Sequence, residues 1–230
     1  MAGEKYVDAH TLFFNDGTDF ADRSGNNIKI KYSGKAKINE LGGESYWYLG
    51  YDNLPGMIYF KDSILSIDIP TTNVQTIEFM IFQRVSFSYG RCIFNYGVDN
   101  EYFLLKVRSV GVTGNVAMFE MQCKNTGDDS AVLTAPGAYA INQQIHIAVE
   151  TYLVSETVRR YCFYIAGKYI GYKDIPRRTN STIENMYQYY VGTNAEAGDN
   201  YFLYDAGIKN FRISNTLRYK QKDYTPYVDN

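Results

Sequence analysis

Two glutamates interrupt otherwise apolar stretches: Glu78 in TIEFMIFQR (76–84) and Glu150 in HIAVETY (146–152). A glycosidase needs two carboxylates at a set separation, one as acid and one as nucleophile or base. A structural carboxylate instead takes a cation or a set of hydrogen bonds. With Ile77, Phe79, Ile147 and Val149 inward, period-two alternation turns both glutamates to the outer side of their sheet. The sequence does not show whether the two strands are neighbours. The structural role is favoured, because no E-x-D-x-x-E run exists and SIDIP (66–70) carries a single carboxylate. The only histidines are His10 and His146, and there is no Ser-His-Asp spacing, no H-E-x-x-H and no P-loop. No catalytic residue is assigned, and His146 reads as a strand residue rather than a metal ligand.

Loop aspartates offer oxygen ligands. Asp16, Asp19 and Asp22, or Asp128 and Asp129 with Asp199, could hold calcium. Aspartates in loops are more often turn formers, so no metal ligand is assigned and no cofactor is expected beyond that calcium option. Cys92, Cys123 and Cys162 are odd in number, form no C-x-x-C and sit in apolar runs, which makes them small core residues. The aromatics carry the strongest binding signal: 23 tyrosines against the single Trp47. Tyr46, Trp47, Tyr48 and Tyr51 form one cluster, and Tyr187, Tyr189 and Tyr190 another. Aromatic rings stack on the C–H faces of sugars while nearby polar groups take the hydroxyls. Alternation through Ser45 to Leu49 puts Trp47 on one side and Tyr46 with Tyr48 on the other, about 6.5–7 Å apart. Asp52 and Asn53 follow in the next turn. Tyr46, Tyr48, Asp52 and Asn53 are therefore expected to form a shallow glycan platform.

The elements that would position these residues are strands. Period-two patterning dominates, and no window of a dozen residues shows a helical stripe. TIEFMIFQR is apolar on both faces apart from Glu78, as a central strand would be. Residues 92–96 and 102–107 form a hairpin, AGK (166–168) turns the chain back on itself, and 124–140 is a long polar excursion. Near the C-terminus, alternation groups Ile208, Asn210, Arg212 and Ser214 against Lys209, Phe211, Ile213 and Asn215, a closing strand for which residues 11–14 offer a partner. Residues 218–230 read as a polar tail with little to add to a core. At 230 residues the chain fits one domain, 1–230. The fold class is all-β, a two-sheet antiparallel jelly-roll sandwich. A net charge of −2 with scattered lysines and arginines argues against nucleic acid. No apolar run approaches the ~18 residues of a membrane span, and MAGEKYVDAH lacks the apolar core of an export signal.

Four segments in order, TIEFMIF (76–82), HIAVETY (146–152), FYIAGKYIG (163–171) and IKNFRISN (208–215), resemble the concanavalin A-like lectin/glucanase superfamily, and within it the laminin G-like modules. There the patterns "TIEFW", "HhVAVtyd", "lYvDGk" and "IdevRI" recur at similar spacing. LRY (217–219) with YTP (224–226) resembles the "ARYt...fTP" ending of such modules in bacteriophage tail and virion proteins. TLFFNDG (11–17) and DRSG (22–25) are similar to their opening. The chain departs from the pattern at Met80, where the family often has Trp, and at Ala166, Lys209 and Asn210, where acidic residues are common, which weakens the carry-over of the family's calcium site.

The resemblance implies a concanavalin A-like fold and a non-catalytic virion protein, made in the host cytoplasm, that binds host surface glycan. The alternatives are a purely structural capsid-decorating or fibre protein contacting other virion proteins, and a glycoside hydrolase. Abundant tyrosine and a strand greasy on both faces further predict a homo-oligomer, a trimer by preference.

Overall fold

A computed structural model describes residues 7–32, 37–48, 65–70, 72–85, 91–98, 102–110, 116–124, 130–176, 186–191 and 206–226. Among these, every regular element is a strand, and the strands form two antiparallel sheets. The first contains β1 (Thr11–Asn15), β3 (Lys37–Leu41), β4 (Glu44–Tyr48), β6 (Val74–Gln83), β12 (Gln144–Ser155), β13 (Val158–Ile165), β14 (Lys168–Pro176) and β16 (Ala206–Ser214). Its order is β14-β13-β12-β6-β16-β4-β3, with β1 also on β16. The second contains β2 (Ile30–Tyr32), β5 (Leu65–Pro70), β7 (Arg91–Val98), β8 (Tyr102–Val110), β9 (Val116–Lys124), β10 (Ser130–Thr134), β11 (Tyr139–Ala140) and β15 (Met186–Val191). It runs β10-β9-β8-β7-β15-β5-β2, with β11 on β9. This is the expected jelly-roll sandwich.

β6 lies between β12 and β16, as its two apolar faces require, and is buried from Gln75 to Gln83. β1 pairs with β16, so the early apolar run does partner the closing strand. Phe79, Ile147, Phe163 and Phe211 all point inward and belong to one cluster, which meets Phe94, Leu105, Phe119 and Met121 of the facing sheet. The three cysteines are free and buried. Burial pushes the Cys92 thiol up to about 11 and those of Cys123 and Cys162 up to about 12, away from thiolate chemistry.

Three expectations need correction. Residues 124–140 are not a structureless excursion, since β10 and β11 both pair with β9 there. Ala131 and Leu133 alternate with the exposed Ser130, Val132 and Thr134, but the strand is too short and too polar to stand out. Alternation through β16 breaks at a bulge: the register to β6 shifts between Lys209 and Arg212, and Asn210 takes φ 51°. Ile208 thereby joins Phe211 and Ile213 in the core, and Lys209 turns outward to pair with Glu44. The C-terminal tail, finally, is packed against the outer face of the first sheet.

Phe211 sits within 5.6–6.1 Å, ring centre to ring centre, of Phe13, Trp47, Phe79 and Phe94. Truncation would leave a cavity at the junction of the two sheets. Phe211→Ala is expected to cost ~3–5 kcal/mol, read as a lowered midpoint in chemical denaturation.

Candidate functional site

β6 and β12 are adjacent, with Glu78 opposite Ala148 and Glu150 opposite Thr76, so both carboxylates stand on the same outer face. They are 1% and 0% exposed. A carboxylate removed from water destabilises the fold by several kcal/mol unless charge and hydrogen bonds offset it. Arg212 Nε donates to Glu78 Oε1 at 2.5 Å, and a second guanidinium nitrogen of Arg212 contacts the same oxygen. Arg218 Nε lies 3.8 Å from Oε1, and the Tyr219 hydroxyl donates to Oε2. His146 Nε2 is 3.2 Å from Oε2. Burial alone would raise this carboxyl, yet His146, Arg212 and Tyr219 outweigh it and hold the pKa at about 2.

Glu150 is satisfied by the tail's backbone. The amides of Tyr219 and Lys220 donate to its two oxygens at 2.6 and 3.0 Å, and the Tyr164 hydroxyl donates at 2.5 Å. The tail turns there through left-handed backbone at Lys220 and Gln221, φ 53° and 60°. Two non-glycine residues in that region are costly, and the paired amides cradling an anion offset the strain.

The rest of the tail follows the sheet. The Tyr219 and Tyr224 rings stack at 3.6 Å and 11°, with Tyr164 edge-on to both at 5.3 and 5.8 Å. The Tyr224 hydroxyl meets His146 Nδ1 at 2.6 Å. Burial pushes the hydroxyls of Tyr164, Tyr219 and Tyr224 upward, so they remain protonated. Tyr224 N donates to Gly167 O at 2.8 Å, and Asp223 takes Lys168 Nζ at 2.8 Å and Tyr169 N at 2.9 Å. Ala166 and Gly167 form the β13–β14 turn at φ 50° and 80°, and a Cβ on Gly167 would lie 2.2 Å from the Tyr224 carbonyl oxygen. The glycine is thus required twice, for its φ and for the closeness of the tail.

The expected glycan platform stands differently. Trp47 is in the main core and donates to Asp19 O at 2.7 Å, while Tyr46 and Tyr48 share the opposite face as expected. Both tyrosines are, however, 0% exposed, packed in a second apolar cluster with Leu41 and Phe82, so they are core residues and not an open platform. Asp52 and Asn53 lie outside the described residues, as do Tyr51, Asp128, Asp129 and Asp199. Tyr187, Tyr189 and Tyr190 fall on β15. Asp16, Asp19 and Asp22 are committed within their loop. Asp22 accepts from the amides of Phe14, Ser24 and Ile28, while Arg23 pairs with Asp16 and Asp19, each at 2.9 Å. They act as turn formers.

Sequence reasoning missed an open corner beside the tail. Arg160 on β13 reaches Asp174 on β14 with two bonds of 2.7 Å and lies 3.8 Å over the Tyr172 ring. The Gln221 amide donates to the Tyr152 hydroxyl at 2.6 Å, and the Tyr169 hydroxyl lies 3.5 Å from Gln221 Oε1. Counting outward from the hairpin turn would set Arg159, not Arg160, against Asp174. A bulge between Phe163 and Tyr164 moves the register by one. Simple alternation from the turn therefore misses the pair.

No protein-family model matches the chain, and no curated protein matches it in sequence. Solved structures do. One described as "Cell entry of botulinum neurotoxin type C is dependent upon interaction with two ganglioside molecules" superposes with TM-score 0.60 at 14% identity over 94% of this chain and 48% of that one. The binding domain of botulinum neurotoxin DC in complex with rat synaptotagmin II gives 0.58 at 14% identity, covering 94% and 49%. The same domain in complex with SialylT gives 0.58 at 13% identity, covering 94% and 49%. The chain therefore shares their lectin-like jelly-roll fold and spans about half their length.

The Glu78 carboxyl, lowered from 4.5 to about 2, stabilises the fold fully above pH ~4.5 and loses that contribution as the pH falls towards 2. The shift corresponds to on the order of 3 kcal/mol. Glu78→Gln is expected to destabilise by ~3–5 kcal/mol at pH 7, since the buried Arg212 guanidinium loses the carboxylate it faces, and to flatten the decline between pH 4.5 and 2. Denaturant titrations of both proteins across that range check it. In the same region, Gly167→Ala is expected to dislodge the tail, read as faster hydrogen exchange at the Tyr224 amide.

Proposed function

We propose that the chain is a non-catalytic recognition domain carried on the surface of a bacteriophage virion, where it binds host glycan. The observation that carries the non-catalytic part is the state of Glu78 and Glu150. They are the one carboxylate pair that the sequence offers for sugar hydrolysis, yet both lie under the tail. Their oxygens are taken by Arg212, Tyr219, Tyr164 and two backbone amides. A glycosidase pair must reach the bond it breaks and admit water. Neither condition is met beneath two stacked tyrosines.

Recognition is supported by the company the fold keeps. The toxin structures are binding domains whose descriptions name ganglioside, SialylT or synaptotagmin. Since this chain matches about half of each, those ligands are not carried over. The virion setting rests on the LRY and YTP segments and their likeness to phage modules. Both segments also have a structural task here, closing the outer face of the first sheet.

A homo-oligomer requires greasy surface that the sandwich leaves open. On the outer face of β6, Glu78 is covered by the chain's own Tyr219 and Phe82 packs with Leu41, Tyr46 and Tyr48, and Val132, Val154 and Tyr172 are the exposed large apolar residues among those described. A trimer would now rest on the resemblance alone, and light scattering at micromolar concentration decides it.

Incubated with a panel of polysaccharides, the chain is expected to be retained on at least one while releasing no new reducing ends. Release of reducing ends would overturn the non-catalytic reading. Gold-labelled antibody is expected to decorate phage particles, and labelling confined to host cell extract would overturn the virion setting.

A further inference from the structure

The corner formed by β12, β13, β14 and the tail is the part of the outer face that the tail leaves open. Tyr152, Arg160 and Asp174 lie in one row across three strands, two strand spacings or roughly 10 Å wide. Tyr172 stands in the next row and is 46% exposed, the most open aromatic among the described residues. Tyr169 and Gln221 close the side facing the tail.

Three properties of this corner point to a ligand class. The groups are held before anything binds: Arg160 is fixed by two bonds to Asp174 and by the Tyr172 ring. Association then has little side-chain freedom left to remove. The groups also keep spare hydrogen-bonding capacity. Each Asp174 oxygen spends one lone pair on Arg160 and has another to offer, and the tyrosine hydroxyls can both donate and accept. Finally, the side chains that meet at the corner carry no surplus charge among themselves, with the exposed Lys220 and Lys222 to either side of Gln221. Arg160 is neutralised by Asp174, and Lys168 at its margin by Asp223 at 2.8 Å. A carboxylated sugar would find no uncommitted cation among these groups. A neutral sugar, with C–H faces for the ring and hydroxyls for the rim, matches them.

We infer that Tyr152, Arg160, Tyr169, Tyr172, Asp174 and Gln221 form a binding site for a neutral oligosaccharide, with Tyr172 as the stacking ring and Asp174 as the hydroxyl acceptor. This rests on the glycan-binding reading above and gives it a location, in place of Tyr46 and Tyr48.

The test is binding of the full chain to a printed array of neutral and sialylated oligosaccharides, with melting temperatures measured in parallel. The wild type is expected to bind neutral members. Tyr172→Ala and Asp174→Asn should each weaken that binding about tenfold or more. Tyr172→Ala, on an exposed edge-strand side chain, should leave the melting temperature nearly unchanged. Val132→Ser, an equally exposed site on β10 of the other sheet, should leave binding as it was. If Asp174→Asn lowers the melting temperature by breaking the Arg160 fork, Tyr172→Ala alone decides. Undiminished binding by Tyr172→Ala would overturn the site while leaving the glycan reading intact. Binding confined to sialylated members would overturn the neutral class. An array on which the wild type binds nothing would overturn the glycan reading itself and the site with it.

Discussion

Two carboxylates buried on one face of a sheet set the terms for the rest of this structure. Glu78 and Glu150 sit on neighbouring strands with almost no access to water. Each requires partners that a bare sheet surface cannot supply. Arg212 answers Glu78 from the adjacent strand β16 and Tyr164 answers Glu150 from β13, but the remaining donors to the two acids come from the tail. The left-handed turn at Lys220 and Gln221, the Tyr219–Tyr224 stack and the glycine of the β13–β14 turn all follow from bringing that segment close enough to donate. The bulge in β16 belongs to the same solution. It lets Ile208 and Phe211 both face the core while Lys209 reaches Glu44 and Arg212 reaches Glu78.

The fold was legible because alternation is a strong signal wherever one side of a strand is buried. Phe79, Ile147, Phe163 and Phe211 declared their faces, and residues 11–14 declared their partner. Legibility ended where local geometry departs from simple counting. The shift at Asn210 regrouped the closing strand, and the one at Phe163 and Tyr164 hid the Arg160–Asp174 pair. The tail was misjudged for a different reason. Its polar composition signals exposure only if the surface opposite is apolar. Opposite a buried carboxylate, backbone amides and tyrosine hydroxyls are what the surface requires. The same error ran in reverse at Tyr46 and Tyr48, whose rings suit a sugar but equally suit Leu41 and Phe82.

The outer face of the first sheet is consequently divided. One aromatic patch, around Ala148, Cys162 and Tyr164, is sealed by the tail, and another, around Tyr46 and Tyr48, is buried with its own neighbours. Between them runs a polar band in which Arg212 meets Glu78 and Lys209 meets Glu44, with His146 beside Glu78. Among the described residues, only the corner at Tyr172 combines an open ring with fixed polar groups. The likeness to toxin binding domains does not choose among these regions, because it describes the arrangement of strands and not their side chains.

The position of β6 in the sheet also bears on how the chain comes to be folded. One edge of β6 pairs with β12, but the other waits for β16, and the Glu78–Arg212 contact joins residues 134 positions apart. A nascent chain that has emerged only through β15 would therefore display an open strand edge beside an uncompensated acid. That charge on a bare edge disfavours pairing with another chain. The carboxylate that the finished protein must neutralise thus serves during synthesis as a guard on the sheet's unfinished centre.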